Sequence, residues 1–173
     1  VKDVLVLTGS LPPGLPDSTY QNWIKRYKAR EVYTVLDASS EALKKAIEAG
    51  PSLIKPNHHE WETLFGKPFN EATVQPDLDH CHALGIERVM ITAGSNGAYA
   101  SEGHGVLHQK ALKLDVQSTV GAGDAFVAGA IMRRHDSIRD QLRFASAVAS
   151  ATTETPGTTP PTFEAVHAMM QRF

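Results

Sequence analysis

One cysteine, Cys81, is the chain's whole supply, so an internal disulfide framework is excluded and a reducing compartment fits. A basic surplus is missing too: Lys+Arg come to 17 against 19 for Asp+Glu. Nothing in that balance points to nucleic acid or to an anionic membrane. Long apolar runs are also lacking, the longest falling far short of a bilayer span, and no signal-peptide pattern opens the sequence. The expectation is a cytoplasmic protein with no nucleic-acid or membrane partner.

What is there has the make-up of a soluble globular protein, 42% hydrophobic and 21% charged. Its 173 residues suit one domain with a sizeable core, taken as residues 1–173. Val1 is not methionine, and the apolar stretch Val4–Leu7 follows almost at once. A domain rarely starts so abruptly, so further protein upstream is expected.

Short β-branched runs alternate with helical patterns. Strands are expected at Val4–Thr8, Val32–Asp37, Ser52–Lys55 and Arg88–Thr92. Between them, Asp17 or Ser18 caps a helix to about Tyr27, with Trp23, Ile24 and Tyr27 on its apolar face. A second helix starts at Ser39 or Ser40 and stops at Gly50-Pro51, and Asn57 caps a third carrying Trp61, Leu64 and Phe65. Another covers about Gln75 to Leu84. Strands separated by helices imply right-handed crossovers and an α/β fold, a doubly wound, mostly parallel sheet flanked by helices. After Thr92 the pattern changes to a hairpin, "GAYAS" and "GVLHQ" around "EGHG", then helices at Asp124–His135, Ile138–Thr153 and Thr162–Arg172. Ligands in such sheets sit beyond the carboxyl ends of the strands. Gly9-Ser10, Asp37, Asn57 and Thr92-Ala93-Gly94 all fall there.

The stretch "STVGAGDAFVAGAI" (Ser118–Ile131) carries the chemistry. Gly121 and Gly123 allow backbone angles closed to other residues, and Ala122 adds little bulk. An apolar helix follows, and the N–H groups of its first turn have no intrahelical partner while its dipole leaves that end positive. Small residues let a phosphate come close to them. Asp124 would repel that anion, unless it faces an acceptor hydroxyl, takes its proton and aims the oxygen at a bound phosphoryl group. Alternatively Asp124 merely caps a helix behind a glycine turn, and these residues alone leave the two readings level. No Lys-Ser/Thr follows, which excludes a Walker loop, and Phe126 stands where a dinucleotide fingerprint needs its third glycine.

With "GSLPPGLP" (Gly9–Pro16), "KPNHHE" (Lys55–Glu60) and "TAGSNGA" (Thr92–Ala98) in the same order, the chain resembles the ribokinase-like sugar kinases, the PfkB carbohydrate kinase family. "DASSEAL" (Asp37–Leu43) is similar to a stretch of its phosphofructokinases. The branch most resembled holds 1-phosphofructokinase, tagatose-6-phosphate kinase and the minor 6-phosphofructokinase, with "VQSTVGAGD" and "AVAS" leaning to the first. The resemblance implies ATP-dependent phosphorylation of a sugar phosphate with Mg²⁺, fructose 1-phosphate to fructose 1,6-bisphosphate being the reading it favours. It makes Asp124 the catalytic base and Gly121, Ala122 and Gly123 the anion hole. Asn57 and Glu60 organise Mg²⁺ and phosphates largely through water, Lys55 reaches the nucleotide phosphates, and Thr92, Gly94 and Gly97 form the nucleotide-binding turn. Gly9 and Ser10 lie near the sugar, and the small residues of "FASAVASATT" (Phe144–Thr153) wall the adenine pocket.

Each assignment has a plainer counterpart. Asn57 and Glu60 are also spaced as a capping box, Lys55 as a snorkelling strand-end residue, "GSNG" as an ordinary turn, and small helix residues as close packing. His80-Cys81-His82 and His58-His59 are not read as metal sites, since neighbouring helix positions point apart and no second cluster completes a set. The family's chains carry about as much protein again ahead of this point, including the lid and most sugar-anchoring residues. This chain is therefore expected to be the C-terminal, nucleotide-and-base half, inactive alone and able to self-associate through an uncovered sheet edge. A non-catalytic nucleotide-binding module is the alternative of another class. An oxidoreductase is disfavoured by the missing fingerprint.

Overall fold

The computed structural model describes residues 3–157 and 159–173. They form two compact units, one of residues 3–91 with Ser101–Val106 and one of Thr92–Ala100 with Leu107–Phe173.

The first unit holds β1 (Val4–Thr8), α1 (Thr19–Lys28), β2 (Tyr33–Asp37), α2 (Ser40–Ile47), β3 (Leu53–Ile54), α3 (His58–Phe65), α4 (Gln75–Ala83) and, as far as Ile91, β4 (Arg88–Thr92). The strands follow chain order, β1-β2-β3-β4, and every pairing is parallel, as helical crossovers require. Val35, Leu36, Leu53, Ile54, Val89 and Met90 are fully buried: strands covered on both faces read as continuous apolar runs rather than alternating ones. Each such side chain contributes about 1.5–3 kcal/mol.

Several details differ from expectation. The third strand is only Leu53–Ile54: toward β2, Ser52 exchanges side-chain bonds instead, its N–H donating to Thr34 Oγ1 (3.1 Å) and its Oγ accepting from Thr34 N–H (3.3 Å), while its carbonyl still accepts from Arg88 N–H (3.0 Å). In α1 the buried pair is Tyr20 and Ile24, four apart, whereas Trp23 is 47% exposed. Asn70 caps an extra 3₁₀ turn at Glu71–Thr73, its side chain accepting from Ala72 N–H. Cys81 is fully buried in α4, and burial, then Asp77, pushes its thiol up to about 12.

The second unit carries β5 (Ala98–Ser101) and β6 (Leu107–Gln109), antiparallel, then α5 (Ala122–Met132), α6 (Ile138–Thr153) and α7 (Phe163–Arg172). Thr162 caps α7 rather than opening it, accepting from Ala165 N–H. Gly129 lets α5 meet α6 closely: a Cβ there would lie 2.9 Å from Ala145 Cα. Phe144, Val148, Val166 and Met169 form a core shared by α6 and α7, against which Leu112, Leu114 and Phe173 pack.

Candidate active site

In the first unit the strand ends converge on Asp37. Its carbonyl accepts from Gly9 N–H (2.9 Å), and its carboxylate holds Lys55 Nζ at 3.0 Å. Lys55 is 4% exposed, so it is not the snorkelling residue of the plainer reading. A buried ammonium of this kind needs its partner, since an uncompensated charge there is strongly destabilising. Gly9 sits at φ +81°, a left-handed angle suited to glycine, and Tyr20 Oη donates to the carbonyls of Thr8 (2.9 Å) and Gly9 (3.2 Å). Ser10, next along, is exposed.

Asn57 and Glu60 do form the capping box. Asn57 Oδ1 accepts from Glu60 N–H at 2.9 Å, and Glu60 Oε2 accepts from Asn57 N–H at 2.7 Å. His59 is exposed, while His58 is half-buried with its Nδ1 enclosed. Among the described residues no group of three or more His, Cys, Asp or Glu could hold a metal ion.

In the second unit Thr92, Gly94, Gly97, Ala122 and Gly123 line one cavity of about 750 Å³. Gly94–Asn96 is a 3₁₀ turn closed by Ala93 N–H to Gly97 O (2.8 Å). Gly97, at φ +91°, has to be glycine, since a Cβ would fall 2.0 Å from Gln109 O. Opposite in sequence, α5 starts at Ala122, two residues earlier than expected, because Gly121 takes the cap at φ +80°. It ends at Met132 rather than His135. Gly123 and Asp124 thus belong to the first helical turn, and Asp124 is its third residue, exposed, not its cap. Gly121 brings no capping side chain and that helix end stays positive, although the Ala122 N–H already donates to Thr119 O at 3.3 Å.

Two readings of "FASAVASATT" divide by helix face. Ala145 packs on Gly129, while Ser146, Ala149, Ser150 and Thr153 line the cavity. Ser146 Oγ is buried without a hydrogen-bond partner. The cavity also takes Lys110, Leu112, Lys113, Leu114 and Phe173, none of them foreseen. Residues 110–115, between β6 and the stretch that opens α5, have no regular structure and match no motif; the lysines three apart are the one available signal.

Among the described residues no helix is long and apolar enough to cross a membrane. Residues 2–165 match the pfkB family carbohydrate kinase profile. The chain is 36% identical over 152 residues to the 1-phosphofructokinase of Haemophilus influenzae, covering 86% of this chain and 49% of that one. It superposes on Escherichia coli phosphofructokinase-2, solved in complex with substrates and products, with TM-score 0.90 and 26% identity over 99% of this chain and 58% of that one. Arabidopsis thaliana ribokinase, complexed with ribose and ATP, matches at TM-score 0.78 and 23% identity, over 97% of this chain and 55% of that one, and shows the fold alone. The chain spans about half the length of the curated relatives it matches. Its fold is the ribokinase-like α/β fold, and the chain belongs to the pfkB family of carbohydrate kinases.

Proposed function

We propose that this chain is the nucleotide-binding and catalytic-base half of an ATP-dependent sugar-phosphate kinase that converts fructose 1-phosphate to fructose 1,6-bisphosphate. The observation that carries it is the first turn of α5, where cavity-lining Ala122 and Gly123 are followed at once by the exposed carboxylate of Asp124. Asp124 takes the proton of the acceptor hydroxyl as its oxygen attacks the γ-phosphorus. The bond to the β–γ bridging oxygen breaks, and ADP leaves with that oxygen. Charge on the transferred group meets the backbone of residues 121–123, where the Ala122 N–H is shared with Thr119 O, and the positive helix end.

Thr92, Gly94 and Gly97 hold the nucleotide on the other wall of this cavity. Lys55 is assigned to the nucleotide phosphates, Asp37 taking one of its ammonium's three donors. Asn57 and Glu60 both spend an oxygen on the capping box. That fits Mg²⁺ only as an ion carried on the phosphates and reached through its own water. Gly9 and Ser10 face the sugar. The names of the relatives support the choice of fructose 1-phosphate. β1 ends the strand order with Val6 41% exposed, which supports pairing with a second copy there, to be read as a concentration-dependent mass by light scattering.

The test takes the full-length gene product with Mg-ATP and, in turn, fructose 1-phosphate, tagatose 6-phosphate and fructose 6-phosphate, reading ADP and bisphosphate. Fructose 1-phosphate should show the highest kcat/KM. A preference for another sugar phosphate would reassign the acceptor. Nucleotide binding with no transfer to any of them would leave a non-catalytic module.

A further inference from the structure

Two residues that no motif singles out, Arg172 and Phe173, stand at the end of α7 beside the cavity. Phe173 lines it directly and packs on the core of Val148, Val166 and Met169. Arg172 reaches in two directions. One nitrogen pairs with Glu154 Oε1 at 3.2 Å, and the other donates to the carbonyl of Lys113 at 3.1 Å. That second bond holds a wall with no helix or ladder of its own. Lys110, Leu112, Lys113 and Leu114 all line the cavity between β6 and α5. Further along, the wall is tied again where Gln117 and Ser118 N–H donate to Thr153 O, at 2.9 and 3.3 Å. Between the end of β6 at Gln109 and that tie, Arg172 is a side-chain anchor on the stretch that faces the ligand.

We infer that Phe173 is a binding residue for the flat ring of the nucleotide and that Arg172 is the positioning residue that sets the cavity wall around it. The inference rests on the proposal that this cavity takes ATP. A planar guanidinium suits the task, since its fixed fork serves two acceptors at once and a lysine serves them poorly. An aromatic face gives a base a sequence-independent stacking surface. Fixing the wall before the ligand arrives lowers the ordering cost of binding.

The experiment measures ATP binding by titration calorimetry on this chain, well below the melting temperature of each variant. Arg172→Gln should weaken ATP about 3- to 10-fold, the range for one charge-assisted bond at a half-exposed site. Phe173→Ala should weaken it about 10-fold, and Phe173→Leu, which keeps the packing but not the ring, nearly as much. Glu154→Gln removes the ion pair but not the bond to Lys113, and should cost less than about 2-fold. In the full-length gene product Arg172→Gln should raise KM for ATP and leave kcat and the sugar KM alone, a split that general loosening of the fold would not give. Unchanged ATP affinity in Arg172→Gln and Phe173→Leu, with the native chain binding normally, overturns this inference alone. A native chain that binds no ATP overturns the reading of the cavity and this inference with it.

Discussion

Asp124 occupies the third position of a helix whose cap, Gly121, has no side chain, and both facts bear on what removing its charge would do. As a base it is worth roughly 10²–10⁴-fold in turnover, whereas as a carboxylate in a first turn it is worth only about 0.3–1 kcal/mol of stability. Asp124→Asn in the full-length gene product should therefore lose kcat by that factor, with ATP affinity kept or improved and the melting temperature barely moved. Steady-state kinetics beside a thermal melt separates the roles, and near-normal turnover would return Asp124 to the helix end alone. Cys81 offers a second residue-scale test. Its folded thiol is raised from 9.0 to about 12, so the unfolded chain ionises first and the contribution to stability, full below about pH 9, is lost as pH rises toward 12. The stability gap between the native chain and Cys81→Ala should narrow across that window in denaturant titrations. A gap that stays constant would show the thiol ionising alike in both states. The same burial should make alkylation of the folded protein slow.

Among the elements, α5 and α6 meet where neither helix has bulk. Gly129 lies against Ala145 and Val148, and an added Cβ would stand 2.9 Å from one backbone atom and 3.0 Å from Val148 Cγ2. Gly129→Ala should destabilise the second unit by about 1–3 kcal/mol, as overpacking does, and urea unfolding would read it. No loss would mean that the helices part easily. Here the sequence's legibility has a physical limit. The strand Val4–Thr8 and the helix Ile138–Thr153 were readable to the residue, since apolar runs and caps are local signals. The start of α5 was not, because a glycine at φ +80° caps without any side chain to announce it. Trp23 was misread since helical periodicity says which residues share a face, not which face is covered. Gly94, Gly97 and Gly123, singled out from the glycine-rich stretches, do line one cavity, because such turns mark themselves by composition. Lys110, Lys113 and Phe173 were not legible, since an irregular wall is set by tertiary packing alone.

For the molecule as a whole, the chain matches about half of its relatives' length, and the proposed transfer needs more than a cavity that takes the nucleotide. The acceptor must be held in line and water kept away, and positioning is worth up to about 7–11 kcal/mol of barrier. The chain by itself should at best bind ATP weakly and hydrolyse it slowly, without forming a sugar bisphosphate. Incubation with Mg-ATP and fructose 1-phosphate checks this, and bisphosphate formed at the rate of the full-length gene product would refute it. Within the first unit one residue has a wider reach than its size implies. Asp37 fastens the Gly9 turn through its carbonyl and Lys55 through its carboxylate. The two loops are thereby epistatic: a change at Asp37 alters the background in which every substitution at Lys55 is read. Asp37→Asn and Lys55→Met should each be harmful alone and far less than additive together, the second change removing the charge that the first had orphaned. Sequence drift at this corner would then proceed in pairs, with single steps closed.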